Sequence, residues 1–175
     1  MGTLGYAFFR RECPEVARDL VGKVLVRRTA AGEQRMRISE TEAYCGEEDT
    51  ACHAHKGRTK RTEPLYGPAG TIYVYLCYGI HWLLNIVTGE ENVPQGVLIR
   101  ACLEAPGPGR LTKALGITGQ WNQKSILTQE GLWIEDDGFH CAVEADKRVG
   151  IGYASLEDQA RLWRFKMAPK DGGQT

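Results

Sequence analysis

Thr71-Ile72-Tyr73-Val74-Tyr75-Leu76-Cys77, the turn Tyr78-Gly79-Ile80-His81, and Trp82-Leu83-Leu84-Asn85-Ile86-Val87-Thr88 form the stretch whose reading decides the fold. Two runs rich in β-branched and aromatic residues flank a turn that holds glycine, which predicts an antiparallel hairpin over 71–88. Its tip carries Tyr78 and Ile80, and large apolar side chains on an exposed turn are costly unless they meet a partner. Tyr73 and Tyr75 share one face of the first strand. That face suits a cross-strand aromatic ladder as well as a platform on which a flat ligand stacks.

Outward from the hairpin, Lys23 to Arg28 and Gln34 to Ala43 read as a second strand pair joined through Ala30-Ala31-Gly32. Gly96 to Leu103, Leu132 to Glu135, His140 to Glu144 and Trp163 to Met167 read as further strands. Pro14 to Gly22 has proline and an acid in its first turn and glycine as its stop, which predicts a helix. Two more helices are expected at Arg110 to Leu115, after the breaker Pro106-Gly107-Pro108-Gly109, and at Leu156 to Arg161. Residues 45–70 read as one long irregular loop, and loops of that length in compact domains are usually functional or disordered. Residues 121–127 read as a second loop. The expectation is one α/β domain of the α+β type over residues 1–175, with no repeat or linker. It has a curved antiparallel or mixed β-sheet, or a partial barrel, with peripheral helices, a protruding hairpin and a mobile tail from 168 to 175.

Lysine and arginine total 22 and aspartate and glutamate total 22, so the net charge gives no general pull toward nucleic acid. A basic run, Lys56, Arg58, Lys60 and Arg61, follows the acidic Glu47, Glu48 and Asp49; alone it reads equally well as a solvated loop. The six cysteines form no C-x-x-C pair, and Cys77, Cys102 and Cys141 lie in apolar runs. With no signal peptide and no long apolar span, the expectation is a reduced, cytoplasmic protein with no membrane association. Cys45, Cys52, His53 and His55 are close in sequence but match no standard zinc spacing. A metal-dependent hydrolase built on them is the weaker rival.

The chemistry concentrates in Ser39-Glu40-Thr41-Glu42-Ala43-Tyr44. On an alternating backbone Glu42 and Tyr44 project from one face, so a carboxylate stands beside a flat ring. Arg100, set among Val97, Leu98 and Ile99, needs a partner, because a buried unpaired charge costs several kcal/mol. Glu42 and Arg100 together suit activation of a water molecule; a structural ion pair fits the same residues equally well. Glu40 has no assigned task.

Glu40-Thr41-Glu42-Ala43-Tyr44, Asp49-Thr50-Ala51-Cys52-His53, Gly70 to Gly79 and Arg148-Val149-Gly150-Ile151-Gly152 closely resemble the alkyladenine (3-methyladenine) DNA glycosylase family, in order as well as in wording. The resemblance runs from about Phe8 to Phe165. It implies a monofunctional DNA glycosylase of base excision repair, a hydrolase that flips alkylated or otherwise damaged purines out of double-stranded DNA and hydrolyses the N-glycosidic bond. By resemblance, Glu42 matches the general base and Arg100 the arginine that holds the water. Tyr44 and His53 match one wall of the base pocket and Tyr75 the opposite wall. Asn85 matches the asparagine that disfavours guanine, and Tyr78 the tyrosine that fills the gap left in the helix, with Ile80 beside it at the hairpin tip. Arg58, Arg61 and Arg110 are the expected phosphate contacts. Neither a metal nor an organic cofactor is implied, nor a Schiff-base lysine, and a monomer associated with DNA is expected. The alternative is a catalytically inactive protein that only binds damaged DNA. The chain departs from the family pattern in a short Glu104 to Gly109 segment and in Leu65-Tyr66-Gly67-Pro68-Ala69.

Overall fold

The computed structural model describes residues 2–170. Nine strands form one open sheet: β1 (Gly2–Thr3), β2 (Val24–Thr29), β3 (Gly32–Tyr44), β4 (Ile72–Cys77), β5 (His81–Thr88), β6 (Gln95–Cys102), β7 (Leu132–Asp136), β8 (Val143–Asp146) and β9 (Arg164–Met167). The main order is β1-β7-β2-β3-β6-β5-β4, and β9 pairs with both β3 and β8. Every pairing of these named strands is antiparallel. With helices α1 (Tyr6–Phe9), α2 (Cys13–Leu20), α3 (Pro108–Leu115) and α4 (Leu156–Ala160) around it, the domain is of the α+β class.

The 13-residue β3 holds the two halves together. Its first half pairs with β2. Register shifts between Ile38 and Thr41 then turn its second half to lie between β6 and β9. Such irregularities bend a strand and re-aim its side chains, and here the bend falls just before Glu42. Helix α2 buries Cys13, Val16, Ala17 and Leu20, one stripe at helical spacing, and the Thr41 hydroxyl clamps it by donating to the Ala17 carbonyl (2.6 Å). The main core gathers this stripe with Ile38, Leu84, Ile86 and Ile99 from the sheet.

Two expectations need correction. The strand expected at His140 to Glu144 begins at Val143, because its partner is β9, whose Met167 pairs with Val143 and whose Arg164 pairs with Asp146; His140 and Cys141 lie before that register. Residues 45–70 contain two single-turn 3-10 helices, His53–Lys56 and Glu63–Tyr66, and Asp49 pins the loop by accepting from the backbone N–H of Cys45 and Ala51. Within the segment expected as a tail, the Ala168 N–H donates to the Ala142 carbonyl (2.9 Å); residues 171–175 lie outside the described residues. The short β1 and α1 had no signal in the hydrophobic pattern. No helix among the described residues is long and apolar enough to cross a membrane.

Candidate active site

Strand β3 delivers Glu42 to a fully buried position opposite Leu98 of β6. Two residues further along β6, Arg100 reaches back so that its Nη1 lies 3.5 Å from Glu42 Oε1. Tyr44, on the same face of β3, donates its hydroxyl to Oε1 (3.2 Å), and the Val149 N–H donates to Oε2 (2.6 Å). Burial pushes the Glu42 carboxyl above the usual carboxylate range, against the opposing pull of the Val149 N–H, Arg100 and Tyr44. The result is a carboxylate made more basic by its surroundings, with donors that fix its orientation. Glu40 gains a task here: its Oε1 lies 3.3 Å from Arg100 Nε and 2.9 Å from Arg164 Nη1, so it holds the far side of Arg100.

Arg148 supports this arrangement from behind. Its guanidinium makes two bonds to Asp49 (2.6 and 3.0 Å), donates to the carbonyls of Ala43 and Asp158, and lies over the Tyr44 and Trp163 rings, 5.0 Å from each centroid. The next residue is Val149, which binds Glu42. One buried ion pair therefore ties together the end of β3, the 45–53 loop and the segment before α4.

A cavity of about 40 Å³ lies beside Glu42, lined by Tyr44, His53, Tyr73, Tyr75, Asn85 and Tyr153 among others. It shares Tyr44, His53, Tyr75 and Tyr153 with a cleft of about 610 Å³ that also holds Glu42, Arg100, Tyr78 and Arg110. His53 and Tyr75, expected on opposite walls of the pocket, touch each other in the structure. His53 packs edge-to-face on Tyr75 with centroids 4.5 Å apart, whereas a base sandwiched between two rings needs about 7 Å, two stacking gaps of roughly 3.5 Å. Tyr73 lies tilted by 37° against Tyr75, with ring centroids 5.3 Å apart.

His53 Nδ1 lies 2.9 Å from the Tyr73 hydroxyl. Burial, reinforced by Arg61 and Lys56, lowers its pKa to about 4, so the ring is neutral at physiological pH. His55 Nδ1 donates instead to the Glu47 carbonyl (2.7 Å), so the two imidazoles are committed to separate partners. Among the described residues, no three His, Cys, Asp or Glu side chains converge as a metal site. Asn85 is buried, and its Nδ2 donates to the Tyr73 carbonyl (3.2 Å).

At the hairpin tip Tyr78 is 92% exposed and Ile80 71%, and Tyr78 takes a left-handed φ of 51°. Such a backbone is uncommon for a large residue and persists where the surroundings fix it, often at a working surface. The basic residues have separate surroundings. Arg58 is paired with Glu63 (2.6 Å) over the Tyr66 ring, while the exposed Arg61 has its guanidinium carbon 5.5 Å from the Tyr75 centroid and Arg110 lines the large cleft. Reasoning from the sequence missed Tyr153, which lines both the cavity and the cleft and donates its hydroxyl to the Ala51 carbonyl (2.7 Å). Its one sequence signal is its place directly after Gly150-Ile151-Gly152.

A family model described as Methylpurine-DNA glycosylase (MPG) matches residues 7–105 and 103–171. The chain belongs to the methylpurine-DNA glycosylase family. Its relatives include proteins named "Putative 3-methyladenine DNA glycosylase" from Methanocella arvoryzae, 42% identical over 94% of this chain and 92% of the relative, and from Psychrobacter cryohalolentis, 44% identical over 91% and 88%. A third of that name, from Nitrosococcus oceani, is 42% identical over 90% of this chain and 86% of its own. Membership of the methylpurine-DNA glycosylases supports a DNA glycosylase, a hydrolase whose substrate is DNA.

Proposed function

We propose that this protein is a monofunctional DNA glycosylase that flips a damaged purine out of the duplex and hydrolyses its N-glycosidic bond as a monomer. The flipped base stacks between Tyr44 and the His53–Tyr75 wall, with Asn85 at its edge. Glu42 takes the proton of the attacking water, and its charge stabilises the oxocarbenium character that develops on the sugar as the C1′–N bond breaks. Arg100 and the Val149 N–H hold Glu42 in position for both tasks.

The single observation that carries this reading is the buried carboxylate of Glu42, made more basic by burial, in the wall of a cleft that shares Tyr44, His53, Tyr75 and Tyr153 with an aromatic cavity. A protein that only binds damaged DNA has no need of such a group. Flipping costs a few kcal/mol, least for a damaged or mispaired base, and Tyr78 and Ile80 lower the cost by occupying the vacated stack.

Incubation with duplexes that each carry one 3-methyladenine, 7-methylguanine, hypoxanthine or etheno lesion, with free base measured in the presence of a chelator, tests the reading. Release of purine from damaged duplexes and not from the undamaged one is expected. No release from any lesion, or release abolished by chelation, contradicts it.

A further inference from the structure

We propose that Glu40 is a positioning residue of the active site: it shares Arg100 with Glu42 and so keeps that guanidinium from closing onto the base. The proposal rests on the glycosylase reading above. Arg100 stands between two carboxylates, with Nε 3.3 Å from Glu40 Oε1 and Nη1 3.5 Å from Glu42 Oε1. An arginine that serves a single carboxylate commonly meets it with two parallel bonds at roughly 2.7–2.9 Å. Arg148 meets Asp49 in that way in this same chain, at 2.6 and 3.0 Å, whereas Arg100 gives Glu42 one long bond. Glu40 is itself placed for the task. It sits where register shifts on both sides interrupt the pairing of β3 with β6, and Arg164 of β9 holds it through Nη1 (2.9 Å). Arg164 is anchored in turn, donating to the Lys147 carbonyl (2.7 Å) and to Asp146 (3.1 Å). Charges therefore alternate outward from the buried base through Arg100, Glu40, Arg164 and Asp146.

A carboxylate fully paired with arginine is a weaker base and has less charge to offer a developing oxocarbenium ion. Glu40 opposes that pairing by drawing on the charge of Arg100 and by adding a like charge of its own, which joins burial in holding the Glu42 carboxyl above its usual range. The other titratable and charged groups around Glu42 are Tyr44 on β3, Arg164 opposite it on β9, and Arg148 with Asp49 behind Tyr44. Asp49 is committed to Arg148, so Glu40 is the carboxylate that competes for Arg100.

The test is single-turnover base release across a range of acid to neutral pH in wild type, Glu40→Gln, Glu40→Asp and Arg164→Gln, with the melting temperature of each. The duplex holds one 7-methylguanine, whose positive charge lets it depart without a further proton, so the acid limb of the profile reports the base. Wild-type release falls as pH drops through the titration of Glu42, because only the ionised form takes a proton from water. In Glu40→Gln the like charge is gone and Arg100 closes onto Glu42, which favours the ionised form. The plateau rate is then expected to fall about tenfold while the acid limb moves to lower pH, so the deficit narrows as pH falls. Arg164→Gln removes a cation from beside Glu42 and leaves Arg100 to Glu40, and its limb is expected to move the opposite way, to higher pH. Glu40→Asp, which keeps the charge, is expected to stay nearer wild type than Glu40→Gln in both rate and limb. A Glu40 that only braces the fold lowers the rate by one factor at every pH, with a lower melting temperature and the limb in place. That result overturns the proposal, as does a limb that moves to higher pH in Glu40→Gln. A wild-type protein that releases no base from any damaged duplex fails at the glycosylase reading itself, and the proposal falls with it.

Discussion

Glu42→Gln is expected to lower single-turnover release of a damaged base by about 10³-fold while the protein still binds the damaged duplex. A thousandfold loss corresponds to about 4 kcal/mol of transition-state stabilisation, within the range a positioned general base supplies. Glutamine keeps the length and an acceptor for the Arg100 and Tyr44 donors, but it cannot take the water's proton or carry a negative charge toward the sugar. Burial disfavours the ionised form, but the amide then turns its NH2 toward the Val149 N–H in place of an acceptor, so the melting temperature of the variant is measured beside its kinetics. Gel-shift or anisotropy titration beside the kinetics separates the two outcomes. Release at the wild-type rate would remove Glu42 from the mechanism, and loss of binding together with release would make it a structural residue.

The second large effect lies behind the pocket. Arg148→Met should cost about 3–5 kcal/mol, because it leaves the Asp49 carboxylate buried without its partner; the two side chains are 0% and 1% exposed. For a chain of this size that is a fall in melting temperature on the order of 10 °C. Base release in the remaining folded protein should fall as well, since Arg148 lies over Tyr44 and precedes the residue whose N–H holds Glu42. The double variant Asp49→Asn with Arg148→Met removes the stranded charge and should recover much of the loss. Denaturant titration of the three proteins checks this, and a single-variant cost below about 1 kcal/mol would show that water reaches the pair.

The parts legible in the sequence are those that depend on local pattern. The hairpin over β4 and β5 was readable because apolar runs flank a glycine turn, and its tip leaves Tyr78 and Ile80 exposed. Alternation along β3 put Glu42 and Tyr44 on one face, and the need of Arg100 for a partner pointed to a carboxylate, although that partner proved to be Glu40 as well as Glu42. What stayed hidden depends on contacts between distant segments. Nothing local indicates that His53 rests on Tyr75 and bonds to Tyr73, 20 residues away. The Arg148–Asp49 pair joins residues 99 apart, and Tyr153 reaches Ala51 across 102. The start of β8 was misplaced for the same reason: β9 sets its register.

The most direct measurement of the central claim follows one duplex with a single hypoxanthine or alkylated purine under single turnover, reading free base and strand integrity in the same samples. Hydrolysis driven by Glu42 without a Schiff base predicts one free purine per turnover and a strand that stays intact until alkali cleaves it at the abasic site. Strand cleavage without alkali, or tight binding of the damaged duplex with no free base, would contradict it.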